Sequence, residues 1–174
     1  RVERGNALCR RICSERPDFK TVRREISMIE HRPVFGLGFQ IVMFALVAFF
    51  FTLFFGGDFS DAVCSMFCGA VIKIVCHYMN KFNANPFFVN IVASFAAAAM
   101  VMCAAQFDMN IDKVIIGALM NLVPGIAITS FMRDIIAGDL MAGLIRFTES
   151  MLVATAIAIG AGIALTLSRM IWGV

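Results

Sequence analysis

Residues 122–139 read LVPGIAITSFMRDIIAGD. A proline–glycine pair interrupts an apolar run, and RDIIAGD then sets three charges around a short hydrophobic patch. In water such a stretch is an ordinary surface helix with a poor start. Inside hydrocarbon both the break and the charges are costly, so the stretch can be read only once the chain's solvent is known.

Composition supplies that solvent. The 174 residues are 60% hydrophobic and 16% charged, where a soluble domain carries roughly 25% charged residues. Mean hydropathy is +0.85. Residues 1–32 hold nine Lys/Arg and five Asp/Glu, against six and seven in the following 142 residues. Uncharged runs cover Pro33–Gly57, Phe82–Phe107, Val114–Met132 and Ser150–Ser168. Each is about as long as the ~20 residues needed to cross ~30 Å of hydrocarbon. The expectation is an all-α, polytopic membrane protein. Net charge is +3, and the excess flanks the first run. It therefore reports orientation, and nucleic acid is not an expected partner. The chain begins at Arg1 within an amphipathic pattern, which suggests a larger N-terminal region, and no secretory signal is visible.

Two segments follow from this division: 1–32 as cytosolic juxtamembrane helices, and 33–174 as the transmembrane domain. In the first, Pro17 suits a first helical position, and Phe19, Val22, Ile26 and Ile29 recur on one helical face. In the second, five spans are expected. The first is roughly Pro33–Phe55, followed by GGDFSD as a tight loop. The second runs from about Ala62 to Asn80, and NKFNANP turns the chain. The third opens at Pro86 and ends near Gln106. DMNIDK is the next loop, with Asn110 a helix cap and Asp112 at the positive helix end. The fourth starts near Ile111 and is broken or kinked at Pro124. The fifth runs from Asp139 to about Ile171. The basic N-terminal segment places that end in the cytoplasm, so Lys81 and Arg133 fall inside, and Lys113 and Arg169 outside.

The polar residues within the spans carry the functional question. Pro124 lacks an N–H and clashes with the carbonyl four residues back, so the helix must kink or stop there. Two readings fit. One is a proline kink packed on neighbours. The other is a half-helix starting near the bilayer midplane, an arrangement with which transporters bind carboxylates; Asn121, Gly125, Thr129 and Ser130 would surround it. Lys73 is the one charge inside its span, beside Gly69, Cys76, His77 and Asn80. It either snorkels to the cytoplasmic edge near Lys81 or serves function. Asp139, Gly143, Arg146 and Glu149 or Ser150 share a face. They form either a solvated helix end, with Arg146 and Glu149 paired, or a charged vestibule. Asn90, Ser94, Ala97, Ala98, Val101 and Ala105, and likewise Ala154, Ala158, Ala161 and Gly162, read as close-packing faces.

Other chemistries find little support. Cysteines at 9, 13, 64, 68, 76 and 103 have no histidine cluster beside them, so no metal site is expected and they read as small apolar packers. GAGIA at 160–164 lies within a span and is no nucleotide loop. AGD at 137–139 has no upstream Tyr-Asp partner for proteolysis. No nucleophile–base pair is present, no enzyme activity is expected, and no cofactor is implied.

The order of residues adds a resemblance. LVPGIAITSFMRDIIAGDLMAGLIRFTESMLVATAIAIGAGIAL resembles the threonine/serine exporter family, whose block is LVPG-x-x-x-T-x-x-x-RD-x-x-x-GD-x-x-x-G-x-x-R. LFFGGDFSDA, NPFFVN and DKVIIGALM are similar to it as well. The matched positions are Pro124, Gly125, Thr129, Arg133, Asp134, Gly138, Asp139, Gly143 and Arg146; many members have Asn where this chain has Ser130. The resemblance implies a half-length exporter module of a bacterial inner membrane, paired with a second membrane subunit or with itself. Its substrates would be threonine and serine, or dicarboxylates such as succinate. Asn121, Pro124, Gly125, Thr129 and Ser130 would bind substrate. Arg133, Asp134, Asp139, Arg146, Glu149 and Lys73 would serve gating or proton coupling. A passive pore subunit and a non-transporting scaffold are the alternatives.

Overall fold

The computed structural model describes residues 2–15, 19–30, 36–104 and 109–172. Every element among them is an α-helix. The chain divides into two units, Arg1–Gly36 and Leu37–Val174. The first holds α1 (Val2–Glu15) and α2 (Phe19–Glu30). These pack on each other and are tied by an Arg11–Glu25 ion pair at 3.0 Å. Phe19 and Ile26 of the expected apolar stripe are exposed. Pro17 and Pro33 lie outside the described residues.

The second unit holds α3 (Leu37–Phe54), α4 (Phe59–Lys81), α5 (Pro86–Ala104), α6 (Ile111–Leu119), α7 (Gly125–Ile136) and α8 (Leu140–Trp172). Four of them, α3, α4, α5 and α8, are long and apolar enough to cross a membrane. Five spans were expected. The difference lies in the fourth predicted span, which is divided into the nine residues of α6 and the twelve of α7. At ~1.5 Å per residue neither piece reaches ~30 Å.

A second difference concerns GGDFSD. Only its first half is a loop; Phe59, Ser60 and Asp61 form the first turn of α4, with Asp58 at the cap. The Asp61 carboxylate accepts the Asp58 N–H at 3.0 Å. That bond satisfies a donor the helix start would otherwise leave open. Gly56 makes the turn possible, with φ at +79°, a region that L side chains avoid.

The core lies between α4, α5 and α6, around Cys68, Ile72, Ala93, Ala97, Val101, Val114 and Ala118. Small residues bring the helices together. A side chain at Gly69 would meet the Phe44 carbonyl at 2.6 Å, and one at Gly117 would meet the Thr52 N at 2.8 Å. These glycines let α4 and α6 close on the backbone of α3, where van der Waals contact is the main source of helix association in lipid.

The α5–α8 seam is built in the same way. Gly160 lies against Ile91 and Ser94, Ala161 and Ala164 pack with Ala98, and Leu167 and Ser168 meet Met102 and Cys103 across a small apolar cavity. Residue numbers rise together along the seam, so the two helices run parallel. Of the packing faces read from the sequence, the α5 face is buried as expected. On α8 the buried side is Ala156, Ile157, Gly160, Ala161 and Ala164, whereas Ala154 and Ala158 are exposed. The expected end of the third span, Ala105 and Gln106, lies outside the described residues. Cys64, Cys68 and Cys76 pack in the core, while Cys9, Cys13 and Cys103 are exposed and all six are free thiols.

Candidate functional site

The α6–α7 break has a measurable depth. α6 begins at one end of the bundle. There Asn110 donates its backbone N–H and its side-chain amide to the Asp61 carboxylate, at 3.1 and 3.0 Å, and Lys113 donates to the Gly56 carbonyl at 2.6 Å. Asn110 precedes α6, but its side chain is committed to Asp61 and makes no cap bond. α6 then passes Thr52 at Gly117 and stops at Leu119. Just beyond its end, Asn121 donates its amide to the Phe44 carbonyl at 3.1 Å. Phe44 lies near the middle of α3, eighth of its 18 residues. The chain is thus interrupted about halfway along the first membrane helix.

Pro124 occupies the cap of α7, with φ at −79° and ψ at 59°. Its carbonyl accepts the Ile128 N–H at 3.0 Å. Gly125, one residue later than Pro124, opens the helix. Thr129 is exposed, and its hydroxyl donates to its own helix at Ile126 and Gly125, at 3.0 and 3.3 Å. Ser130 is half-buried. Of the five residues read as substrate-binding, only Asn121 is fixed by another helix.

The charged residues gather where α7 meets α8. Asp134 receives Arg146 at 3.0 Å and Arg133 at 3.6 Å. Arg146 therefore pairs across the hairpin with Asp134 rather than along its own helix with Glu149, which is exposed. The ion pair is supported by Gly143 against Ile135 and by an edge-to-face pair of Phe131 and Phe147 at 5.3 Å. Asp139 begins α8 and accepts the Ala142 N–H at 3.2 Å. Ser150 is buried and bonded to the Arg146 carbonyl. Lys73 does not join this group. Its ammonium lies 4.8 Å from the centre of the Phe44 ring, while the nearby His77 and Asn80 are exposed.

The AGD segment has a structural explanation the sequence reading missed. The Gly138 N–H donates to Ile135 at 3.1 Å and the Asp139 N–H to Asp134 at 2.9 Å, with Gly138 at φ +89°. This is a Schellman ending, which closes the carbonyls of the last helical turn and favours glycine at the left-handed position. Asp61 was missed too. It is 1% exposed, and its D-x-x-D spacing with Asp58, just before an apolar run, was the available signal. Phe44 gave no such signal, because its role rests on a backbone carbonyl.

Four membrane-length helices, a core built on small residues and a polar break at mid-depth define a multi-pass helical membrane protein. The family described as "Putative threonine/serine exporter" matches residues 1–168, and the chain belongs to that family, a family of transporters rather than enzymes. No match was found among curated proteins or among solved structures.

Proposed function

We propose that this chain is one half of a secondary transporter that exports small carboxylates or amino acids, of the threonine/serine or succinate type, from the cytoplasm in exchange for proton entry. The observation that carries the reading is the interruption at 120–124, anchored by Asn121 at the middle of α3. In this reading α6 and α7 are two halves of a fifth crossing. Secondary carriers place substrate where such discontinuous helices meet. Five crossings would put the two ends of this unit on opposite sides, with the α4–α5 turn and the α7–α8 hairpin cytoplasmic.

The α7–α8 hairpin would then be the cytoplasmic gate. The α5–α8 seam pairs Ser94 with Gly160, so Pro86 lies level with about residue 152, and roughly 18 Å of α8 extends past it at ~1.5 Å per residue. Arg133, Asp134, Asp139, Arg146 and Glu149 all lie in or against that extension, and one of the three acids would carry the proton. A partner completes the carrier, either a second membrane subunit like the other half of the family or another copy of this chain. No residue of α7 is buried, and Ile126 and Ile136 are 85% and 84% exposed, which leaves this helix a free face for that layer or for lipid.

Counterflow into proteoliposomes, with labelled threonine and succinate, tests the proposal. Saturable uptake that responds to an imposed proton gradient and appears only with the partner subunit or an oligomer is expected, and Pro124→Ala should reduce it without loss of assembly. Non-saturating, gradient-insensitive flux would indicate a pore instead, and wild-type flux in Pro124→Ala would overturn the role of the break.

A further inference from the structure

Among the described residues, Lys73 has no carboxylate within ion-pair distance, although it sits well inside a membrane-length helix. It is 14 residues from the start of α4 and eight from its end. Its neighbour is the Phe44 ring, at 4.8 Å. Phe44 is also the residue whose carbonyl holds Asn121, and Gly69, one turn before Lys73, lets α4 press on that same carbonyl. Lys73 and the chain break are therefore attached to the same residue of α3.

A cation in hydrocarbon is expensive and is normally paired or hydrated. An aromatic face offers only partial compensation. The ammonium thus has capacity for an anion that the chain itself does not supply. The sequence pattern placed Lys73 with the gating charges, but no hydrogen bond or ion pair joins it to Arg133, Asp134, Asp139 or Arg146 among the described residues. We infer that Lys73 is the residue that binds the carboxylate of the transported solute, beside Asn121 at the break. This rests on the exporter reading and narrows it: solutes with a free carboxylate are carried, and amides or alcohols of the same size are not. With no solute present, the ammonium rests on the Phe44 ring.

Two measurements separate this inference from the reading beneath it. First, counterflow of succinate is compared for wild type, Lys73→Arg and Lys73→Met. Losing a charge-assisted contact in a dry site should raise KM about tenfold or more in Lys73→Met, with Lys73→Arg intermediate. Lys73→Met removes a costly charge, so it should fold, and its elution and melting temperature check that. An unchanged KM with wild-type flux intact would overturn the role of Lys73 and leave the exporter reading standing. Second, Lys73→Cys is placed in a background with the six native cysteines replaced, and its alkylation is timed in vesicles. Succinate should slow alkylation, and succinamide should not. Equal rates with both compounds would overturn the inference even if no preparation transports. Protection by succinate without any flux would leave Lys73 as an anion site and count against the exporter reading alone.

Discussion

The Asn121 side chain donates to the backbone carbonyl of Phe44 at 3.1 Å, across a sequence separation of 77 residues. A mid-helix carbonyl already serves its own helix, so this second bond fixes the end of α6 at one depth and in one orientation. Replacing Asn121 by Ala should cost about 1 kcal/mol, the net worth of one such bond. Asn121→Asp should be worse, because a carboxylate has no donor to offer and would face a carbonyl oxygen. Thermal unfolding in detergent should rank wild type above Ala and Ala above Asp. Asp at or above Ala would show that the bond does not hold the break.

Gly117 and Gly162 should respond in opposite ways to the same change. A methyl group at Gly117 would collide with the backbone of Thr52, whereas at Gly162 nothing lies within 4 Å. Gly117→Ala should destabilise by roughly 1–3 kcal/mol through overpacking. Gly162→Ala should be neutral or gain up to ~1 kcal/mol of helix propensity. Melting temperatures of the purified variants would compare them. If Gly162→Ala melts normally alone but impairs a complex with another subunit, that face of α8 is in the interface.

Asp61 accepts three N–H groups, from Asp58, the Asn110 backbone and the Asn110 side chain. Asp61→Asn removes the charge and turns one acceptor into a donor facing donors. Bonds to a charged group are worth about 1.5–3 kcal/mol each, and the loss should fall at the upper end or beyond. Hydrogen exchange should then speed up first at the start of α6. Faster exchange confined to α4 would show that the carboxylate only caps its own helix.

The Asp134–Arg146 pair should be exchangeable. Arg146→Asp alone places like charges together and should impair the α7–α8 hairpin. Asp134→Arg combined with Arg146→Asp should restore most of the stability. Arg146 remains 46% exposed, so the coupling should be modest, about 0.2–1 kcal/mol if water reaches the pair. A double-mutant cycle measures it, and an additive cycle would show that the contact carries no energy.

Accessibility to impermeant thiol reagents checks the proposed fifth crossing. Cysteine introduced at Asn110 should label from outside and cysteine at Lys81 from inside. Labelling of both from one side would mean that α6 and α7 do not together cross the membrane.

The sequence disclosed the long helices because about 20 uncharged residues leave few alternatives in a bilayer. It also located the break, since proline cannot continue a helix interior. It misjudged what followed. Thr129 sits at a spacing that suggested the protein interior, yet it bonds its own helix and is exposed, because α7 packs chiefly on α8. Arg146 was paired with Glu149 by local spacing, but the hairpin brings Asp134 closer, a tertiary fact that no window of residues contains. Phe44 and Lys73 were invisible as a pair for the same reason. The Schellman turn was legible at Gly138 in retrospect, had AGD been read as a helix ending instead of a motif.

α8 makes two separate commitments on one uninterrupted rod of 33 residues. Near its start Gly143 and Arg146 clasp α7; 17 positions after Gly143, Gly160 is locked against α5. At ~100° per residue the two faces are fixed in angular phase as well as in height. A single residue inserted between Ser150 and Ala156 would leave both seams chemically intact and turn one against the other by about 100°. The rod therefore carries torque: twist applied where the charges sit arrives at the α5 seam undiminished by any hinge, and the gearing between the two ends is set by the number of residues between them.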